Sequence, residues 1–264
     1  MSEKFFQNKQ AIIILIAASL VVLISMGIRQ TWGLFYGFFE TDLGFSRTQF
    51  GLAIAIQMVL WGSLVPIFGL LSDKFGPRRV VAFSFIIYLI GIYLLLQEPK
   101  TVFGFQISLG VLIGIALGGT AVSVPVSAVG KFFSNKNRTI ATGLVTASAS
   151  IGFFLMPIFV KFSNGSYGWK NTLEYFLYFL MFGLLCSLFM LKKEYTDETN
   201  NQFTRDQSAT KALKEAFQHK GYKLLTAGFF VCGFQITLVA THIPGYIKLT
   251  TLPEWTATAI LSLI

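Results

Sequence analysis

The sequence has 264 residues, 54% hydrophobic and only 12% charged, whereas soluble domains average about 25% charged residues, so a water-soluble fold is excluded. The net charge of +9 does not point to nucleic acid, because the basic residues sit between apolar runs, where they orient membrane spans. The 28 Phe and 24 Gly against 7 Pro fit helices in lipid with small residues at their contacts, and exclude a disordered chain. Cys186 and Cys232 both lie within apolar runs and read as small buried hydrophobes, not as metal ligands or a bridge.

In chain order, apolar runs fall at 11–39, 50–71, 80–96, 102–130, 140–162, 172–191 and 224–247, each near the ~20 residues that carry an α-helix across a bilayer core. The first run is too long for the apolar region of a signal peptide and lacks a small-residue cleavage site, so it is expected to remain as a span. A last run, 255–264, is about half of a crossing. The fold class is therefore an all-α membrane protein.

Orientation follows from Lys and Arg in the connections, which are enriched on the cytoplasmic side. One side holds Lys4 and Lys9; Lys74, Arg78 and Arg79; Lys131, Lys136 and Arg138; and the bases of 192–223. The other side holds only Arg47, Lys100, Lys161, Lys170 and Lys248. A cytoplasmic N-terminus is expected, in a multi-pass protein of the cell membrane. The long polar segment after span six contains Ala212, Leu213, Ala216 and Phe217 at helical spacing among Lys211, Lys214 and Lys220. It reads either as a short helix on the inner membrane surface or as a solvated linker.

The strongest local signal joins spans two and three: Gly69-Leu70-Leu71-Ser72-Asp73-Lys74-Phe75-Gly76-Pro77-Arg78-Arg79. Gly69 would let another helix approach, Gly76 and Pro77 force a tight turn, and Arg78 and Arg79 fix the loop inside. Asp73 puts an acid at a helix C-terminus, against the dipole, and should have a partner.

This segment resembles the loop signature of the major facilitator superfamily, and six spans followed by a cytoplasmic linker resemble that family's first half. The resemblance implies an N-terminal six-helix bundle (1–191), a linker (192–222), and the start of a second half (223–264) with span seven and the beginning of span eight, C-terminally truncated. It also implies a cytoplasmic gate made with the second half by Gly69, Asp73, Gly76, Arg78, Arg79 and Arg138. Residues Gly27-Ile28-Arg29-Gln30-Thr31-Trp32-Gly33-Leu34-Phe35, Cys232-Gly233-Phe234-Gln235 and Thr241-His242-Ile243-Pro244-Gly245-Tyr246 are similar to the bacterial monocarboxylate porter and oxalate/formate antiporter group. That likeness implies a small organic anion as cargo, often carried with a proton as in symport, across the inner membrane, by a protein that is monomeric when full length. The arginine that drug-exporting relatives place early in span four is missing, as that region reads Ile107-Ser108-Leu109-Gly110-Val111.

Arg29 is the foremost candidate for ligand contact. At about 1.5 Å per residue it lies roughly 27 Å along its helix from Ala11, well inside the bilayer. A charge there costs about 2.5–3.5 kcal/mol on insertion scales and needs a polar interior or a partner. Spans one to five hold no Asp or Glu at depth, and Glu174 lies near the outer surface, so a carboxylate ligand is expected to meet the guanidinium fork. Gln57 and Trp61 of span two, and Gln235, Thr241 and His242 of span seven, would complete the cavity; His242 could pass a proton or be a hydrogen-bonded structural group.

Gly110, Gly114 and Gly118 share one face of span four, as either a substrate-path wall or close helix packing; Ser148 and Gly152 repeat the idea in span five, and Pro157 is expected to kink it. A retinal protein would need a Lys in the middle of span seven, where none stands. No His-Glu-x-x-His, Gly-x-Ser-x-Gly or paired acids within a span occur, so neither an enzyme nor a metal or cofactor is expected. The sequence is thus read as a partial secondary transporter, against three alternatives: a truncated inactive product, a carrier of another small solute, or a smaller transporter assembling as a dimer.

Overall fold

A computed structural model describes residues 9–133, 135–190, 215, 217–247, 249–253 and 255–263. The surface helix or solvated linker expected around Ala212, Leu213 and Ala216 lies outside the described residues. Every regular element among those described is a helix. Six of them are long and apolar enough to cross a membrane, one fewer than the seven apolar runs. The sixth run also forms a helix but falls outside that number: it begins with Lys170, Asn171 and Glu174, whose polarity dilutes a short apolar stretch.

Span one is two helices, α1 (Lys9–Gln30) and α2 (Trp32–Thr41), which meet at Thr31. The Thr31 hydroxyl donates to the Ile28 carbonyl at 2.8 Å. Span two is α3 (Arg47–Phe75), started by a capping box in which Ser46 and Gln49 satisfy each other's backbone. It ends at Gly76, whose φ of 87° only glycine adopts without strain. Pro77 then opens α4 (Pro77–Leu96), span three, with a φ already set for the first helical turn.

Span four is segmented. A short α5 (Val102–Phe105), capped by Thr101, runs into a π-helical turn at Gln106–Leu112, then α6 (Ile113–Thr120) and α7 (Ser123–Phe132). Widened turns of this kind disturb the regular backbone ladder, and side chains brace this one. Gln57 Nε2 donates to the Leu109 carbonyl inside the turn at 2.9 Å, and Gln106 Nε2 donates to the Gln49 carbonyl at 2.8 Å. At the second break, the Ser25 hydroxyl of α1 donates to the Thr120 carbonyl at 2.9 Å. Span five is α8 (Asn135–Tyr167), which continues through Pro157; Gly168 (φ 84°) turns the chain into span six, α9 (Trp169–Ser187). Span seven is α10 (Lys220–Ile247), and α11 (Trp255–Leu263) opens the last run.

Glycines set the crossings. An added Cβ on Gly152 would sit 2.4 Å from the Leu23 carbonyl oxygen, so α1 and α8 touch backbone to backbone. Cβ atoms on Gly110 and Gly114 would meet the Ala53 and Gln57 carbonyls at 3.0 and 2.9 Å, and one on Gly118 would meet Phe68 at 2.8 Å. The glycine face of span four therefore packs span two, which decides for close helix packing over a path wall. Gly183 of α9 leaves room for the Phe85 ring of α4 in the same way.

At the end of the bundle where α2 terminates, aromatic rings replace glycine as the packing device. Phe39 is fully buried and meets Phe105 and Trp169 edge-on, at centroid distances of 5.4 and 5.7 Å. Outside, large side chains such as Ile16, Val59, Phe83, Phe154 and Phe182 are exposed, as a lipid-facing mantle requires.

Span seven joins the bundle by one end only. Residues 220–235 of α10 are all exposed, whereas Ala240, Thr241, Pro244, Gly245 and Ile247 are buried. There α10 packs on α2, and α11 packs on α8. The contact is tight at Gly33, where a Cβ would lie 2.2 Å from the Ala240 carbonyl oxygen and 3.0 Å from Pro244 Cγ.

Candidate functional site

Arg29 stands in the last turn of α1, just before the Thr31 break, and is 8% exposed. Its Nη2 donates to Thr237 Oγ1 at 3.1 Å and lies 3.4 Å from Met58 Sδ. The guanidinium carbon lies 5.2 Å from the centre of the Trp61 ring. A ring face attracts a cation, but a thioether is a weak acceptor, and neither supplies a negative charge. Among the described residues no carboxylate pairs with Arg29. The arrangement is a desolvated cation with donors left over, which is the chemistry of an anion site.

The expected site residues separate. Trp61 is at the guanidinium. Gln57 is fully buried one position from Met58, but its amide nitrogen braces the π turn and its Oε1 has no hydrogen-bond partner among the described residues; it serves the joint between spans two and four. Gln235 and His242 do not join the site: both are exposed, and neither hydrogen-bonds Arg29. The His242 ring instead lies beside Gly51 of α3. Thr241 is buried in the closed end of α10. Thr237 and Met58 were not anticipated; the four-residue spacing of Thr237 and Thr241 within an apolar stretch was the signal available for the first.

At the rim formed by the ends of α3 and α7, Asp73 forms an ion pair with Lys131. This is the partner that an acid at a helix C-terminus requires. Arg138 packs over Gly130, next to Lys131, while Arg78 is half-buried and Arg79 exposed at the start of α4. All five charged groups thus gather near one end of the bundle. Gly69 does not behave as expected: no described atom lies within 4 Å of a Cβ built on it, so it receives no close helix. Its neighbour Phe68 makes the contact instead, against Gly118 and Gly119.

The opposite end carries a second polar network. Trp169 Nε1 donates to Asp42 Oδ2 at 2.6 Å, and the Thr41 hydroxyl donates to Oδ1 at 2.9 Å. These donors, the indole first, hold the Asp42 carboxyl below its ordinary range. Tyr36 donates to Glu40 at 2.5 Å, and Arg47 lies over the Tyr36 ring. A cavity of about 380 Å³ opens here between α2, α8, α10 and α11, lined by Tyr36, Lys161, Asn164, Pro244 and Thr258. It does not include Arg29.

Membrane-length helices packed around a buried arginine, with a charged rim at one end, define a multi-pass membrane protein of the helical-bundle class. The chain belongs to the Major Facilitator Superfamily, whose family model matches residues 15–264. Among curated proteins it is 22% identical over 232 residues to the agnestins efflux protein AgnL12 of Paecilomyces divaricatus, covering 86% of this chain and 52% of that one. It is 30% identical over 156 residues to the probable nitrate transporter NarT of Staphylococcus epidermidis, covering 58% of this chain and 38% of that one. A crystal structure of a POT peptide transporter in complex with alafosfalin superposes with a TM-score of 0.59 at 19% identity, over 92% of this chain and 50% of that one. An auto-inhibited POT-family peptide transporter gives 0.57 at 14% identity, over 97% and 52%. The chain therefore spans about half, or less, of the length of these relatives, and the structural likenesses show the fold alone.

Proposed function

We propose that this chain is the first half and the beginning of the second half of a secondary transporter that carries a small, monocarboxylate-like organic anion by alternating access. The observation that carries the reading is Arg29: a buried guanidinium with no carboxylate partner among the described residues. In low dielectric its charge attracts an anion strongly, and its planar fork favours a carboxylate. In this reading 1–191 is the six-helix half, 192–222 the cytoplasmic linker, and 223–264 the opening of the second half. The rim bearing Asp73, Lys131 and Arg138 faces the cytoplasm, in keeping with the basic residues that gather on that side.

The attachment of α10 fits a cytoplasm-open arrangement. Its first part stands clear of the bundle, while Gly33 and Ala240 close the far end. Transport would then require α10 to swing onto the rim, where Asp73, Arg78, Arg79 and Arg138 hold the outward-open state, as the two halves rock about the anion. A second reading, nitrate as cargo, draws on the likeness to NarT and on the same geometry, since nitrate is also a planar oxyanion.

The test uses the complete protein in proteoliposomes. Arg29→Gln should abolish uptake of monocarboxylates and dicarboxylates; unchanged uptake would overturn the anion site. Competition by nitrate against formate separates the two cargoes. Uptake driven by an imposed pH gradient would identify the proton as the coupled ion.

A further inference from the structure

The cavity between α2, α8, α10 and α11 has no part in the carrier reading. Its volume of about 380 Å³ falls in the range of pockets that hold small molecules, about 300–1,000 Å³. Spans one and seven meet along it in the same order: Arg29 with Thr237, Gly33 with Ala240 and Pro244, then Tyr36 with Gly245. Gly33, Tyr36, Pro244 and Gly245 all line the cavity, whereas Arg29, about one helical turn before Gly33, does not. The cavity therefore adjoins the closed contact on the side away from Arg29.

Part of its wall offers hydrogen-bond donors. On α8, Lys161 and Asn164 are three residues apart and share a face. Lys161 has no carboxylate partner among the described residues. Asn164 Oδ1 accepts from the Thr172 hydroxyl at 2.6 Å, which leaves the amide nitrogen as a donor. Thr258 of α11 is 7% exposed, and its hydroxyl has no hydrogen-bond partner among the described residues. Buried hydroxyls are nearly always paired, so one left over in a cavity wall marks a place for a ligand atom. The Tyr36 hydroxyl is committed to Glu40, and that acid does not line the cavity. Apolar wall is supplied by Val160 and Ile247, both buried.

We infer that this cavity is a second binding site, for an organic carboxylate with a short hydrocarbon body, across the Gly33 contact from Arg29. Lys161 supplies the charge, the Asn164 amide and the Thr258 hydroxyl supply hydrogen bonds, and Val160 and Ile247 cover the hydrocarbon. What the site serves rests on the anion-carrier reading given above: an anion held here reaches Arg29 once α10 leaves Gly33. Nitrate has no body to lay against the apolar wall, so this site discriminates against it.

The test counts radiolabelled butyrate bound to the complete protein in detergent, by equilibrium dialysis. The wild type should bind two per chain, and Arg29→Gln should leave one. Lys161→Gln, at an exposed position, should also leave one. So should Gly165→Leu, which fills the cavity from a wall position where a Cβ meets no described atom within 4 Å. Thr258→Val keeps the shape of the side chain and should weaken the second site about tenfold, the effect of losing one hydrogen bond to a charged group. Excess nitrate should displace only the butyrate at Arg29. Two butyrates retained by both Lys161→Gln and Gly165→Leu would overturn the second site. A single butyrate, lost in Arg29→Gln and kept in Lys161→Gln, would overturn it while leaving the carrier reading intact. A single butyrate, lost in Lys161→Gln and Gly165→Leu but kept in Arg29→Gln, would overturn the Arg29 site and leave the cavity site standing. No binding by the wild type would overturn both.

Discussion

Arg29 Nη2 and Thr237 Oγ1, 3.1 Å apart, join span one to span seven through a hydrogen bond from a charged donor. They are 208 positions apart in sequence, so the bond ties the six-helix bundle to the first helix beyond the polar segment. It is a polar tie between them deep in the apolar layer, in addition to the backbone contact at Gly33.

Thr237→Val keeps the shape of the side chain and removes the acceptor. Hydrogen bonds to charged groups contribute about 1.5–3 kcal/mol, and the guanidinium would be left with a thioether and a ring face. The thermal midpoint of the purified chain should fall by several degrees, and Thr237→Ser should restore most of it. An unchanged midpoint for Thr237→Val would show that the bond does not hold the helices together.

The glycines give a paired test. Gly33→Ala places a Cβ 2.2 Å from the Ala240 carbonyl oxygen, so α10 must shift off α2; overpacking of this kind costs about 1–3 kcal/mol. Cross-linking between cysteines introduced at Tyr36 and Gly245, whose positions meet across this contact, should drop in the Gly33→Ala background. Gly69→Ala, where no described atom lies within 4 Å, should leave both cross-linking and stability unchanged or slightly improved.

The Asp42 carboxyl is held below its unfolded value of 3.8 by Trp169 and Thr41. A depressed carboxylate contributes stability that is present above its unfolded pKa and is lost as pH falls through the folded one. The thermal midpoint should therefore show a component that is flat at neutral pH and declines below about pH 4. Trp169→Phe should shrink that component to the part held by Thr41 while changing the neutral-pH midpoint only through packing against Phe39. The two profiles, measured by scanning fluorimetry from pH 3 to 7, decide the matter.

Asp73 and Lys131 separate stability from transport. Both groups are partly exposed, and exposed ion pairs contribute about 0–1 kcal/mol, so Lys131→Ala should barely shift the thermal midpoint. If the rim is the proposed gate, Asp73→Asn should still slow uptake by the complete protein several-fold. Equal losses of stability and transport would assign the pair a purely structural role.

The number of membrane helices, the Gly76-Pro77 turn and the charged rim were legible in the sequence. Apolar length, turn chemistry and clustered charge are properties of neighbours along the chain, and tertiary packing need not be known to read them. The glycine face of span four was legible as a pattern, but only the carbonyls of Ala53 and Gln57 lying against it decided between packing and a path wall.

Arg29 was recognised from the sequence for an equally local reason, a charge inside an apolar run. Its companions were not, because they are set by helical phase. At about 3.6 residues per turn, Gln235 and Thr237 point to nearly opposite sides of α10, and His242, two turns after Gln235, lies on the Gln235 side. Met58 and Trp61, three residues apart, share a face of α3. Composition and periodicity determined that span seven carries polar residues and that Arg29 needs company. Only the rotation of α10 against α1 and α3, fixed where Gly33 meets the Ala240 backbone, decided that the companion is Thr237.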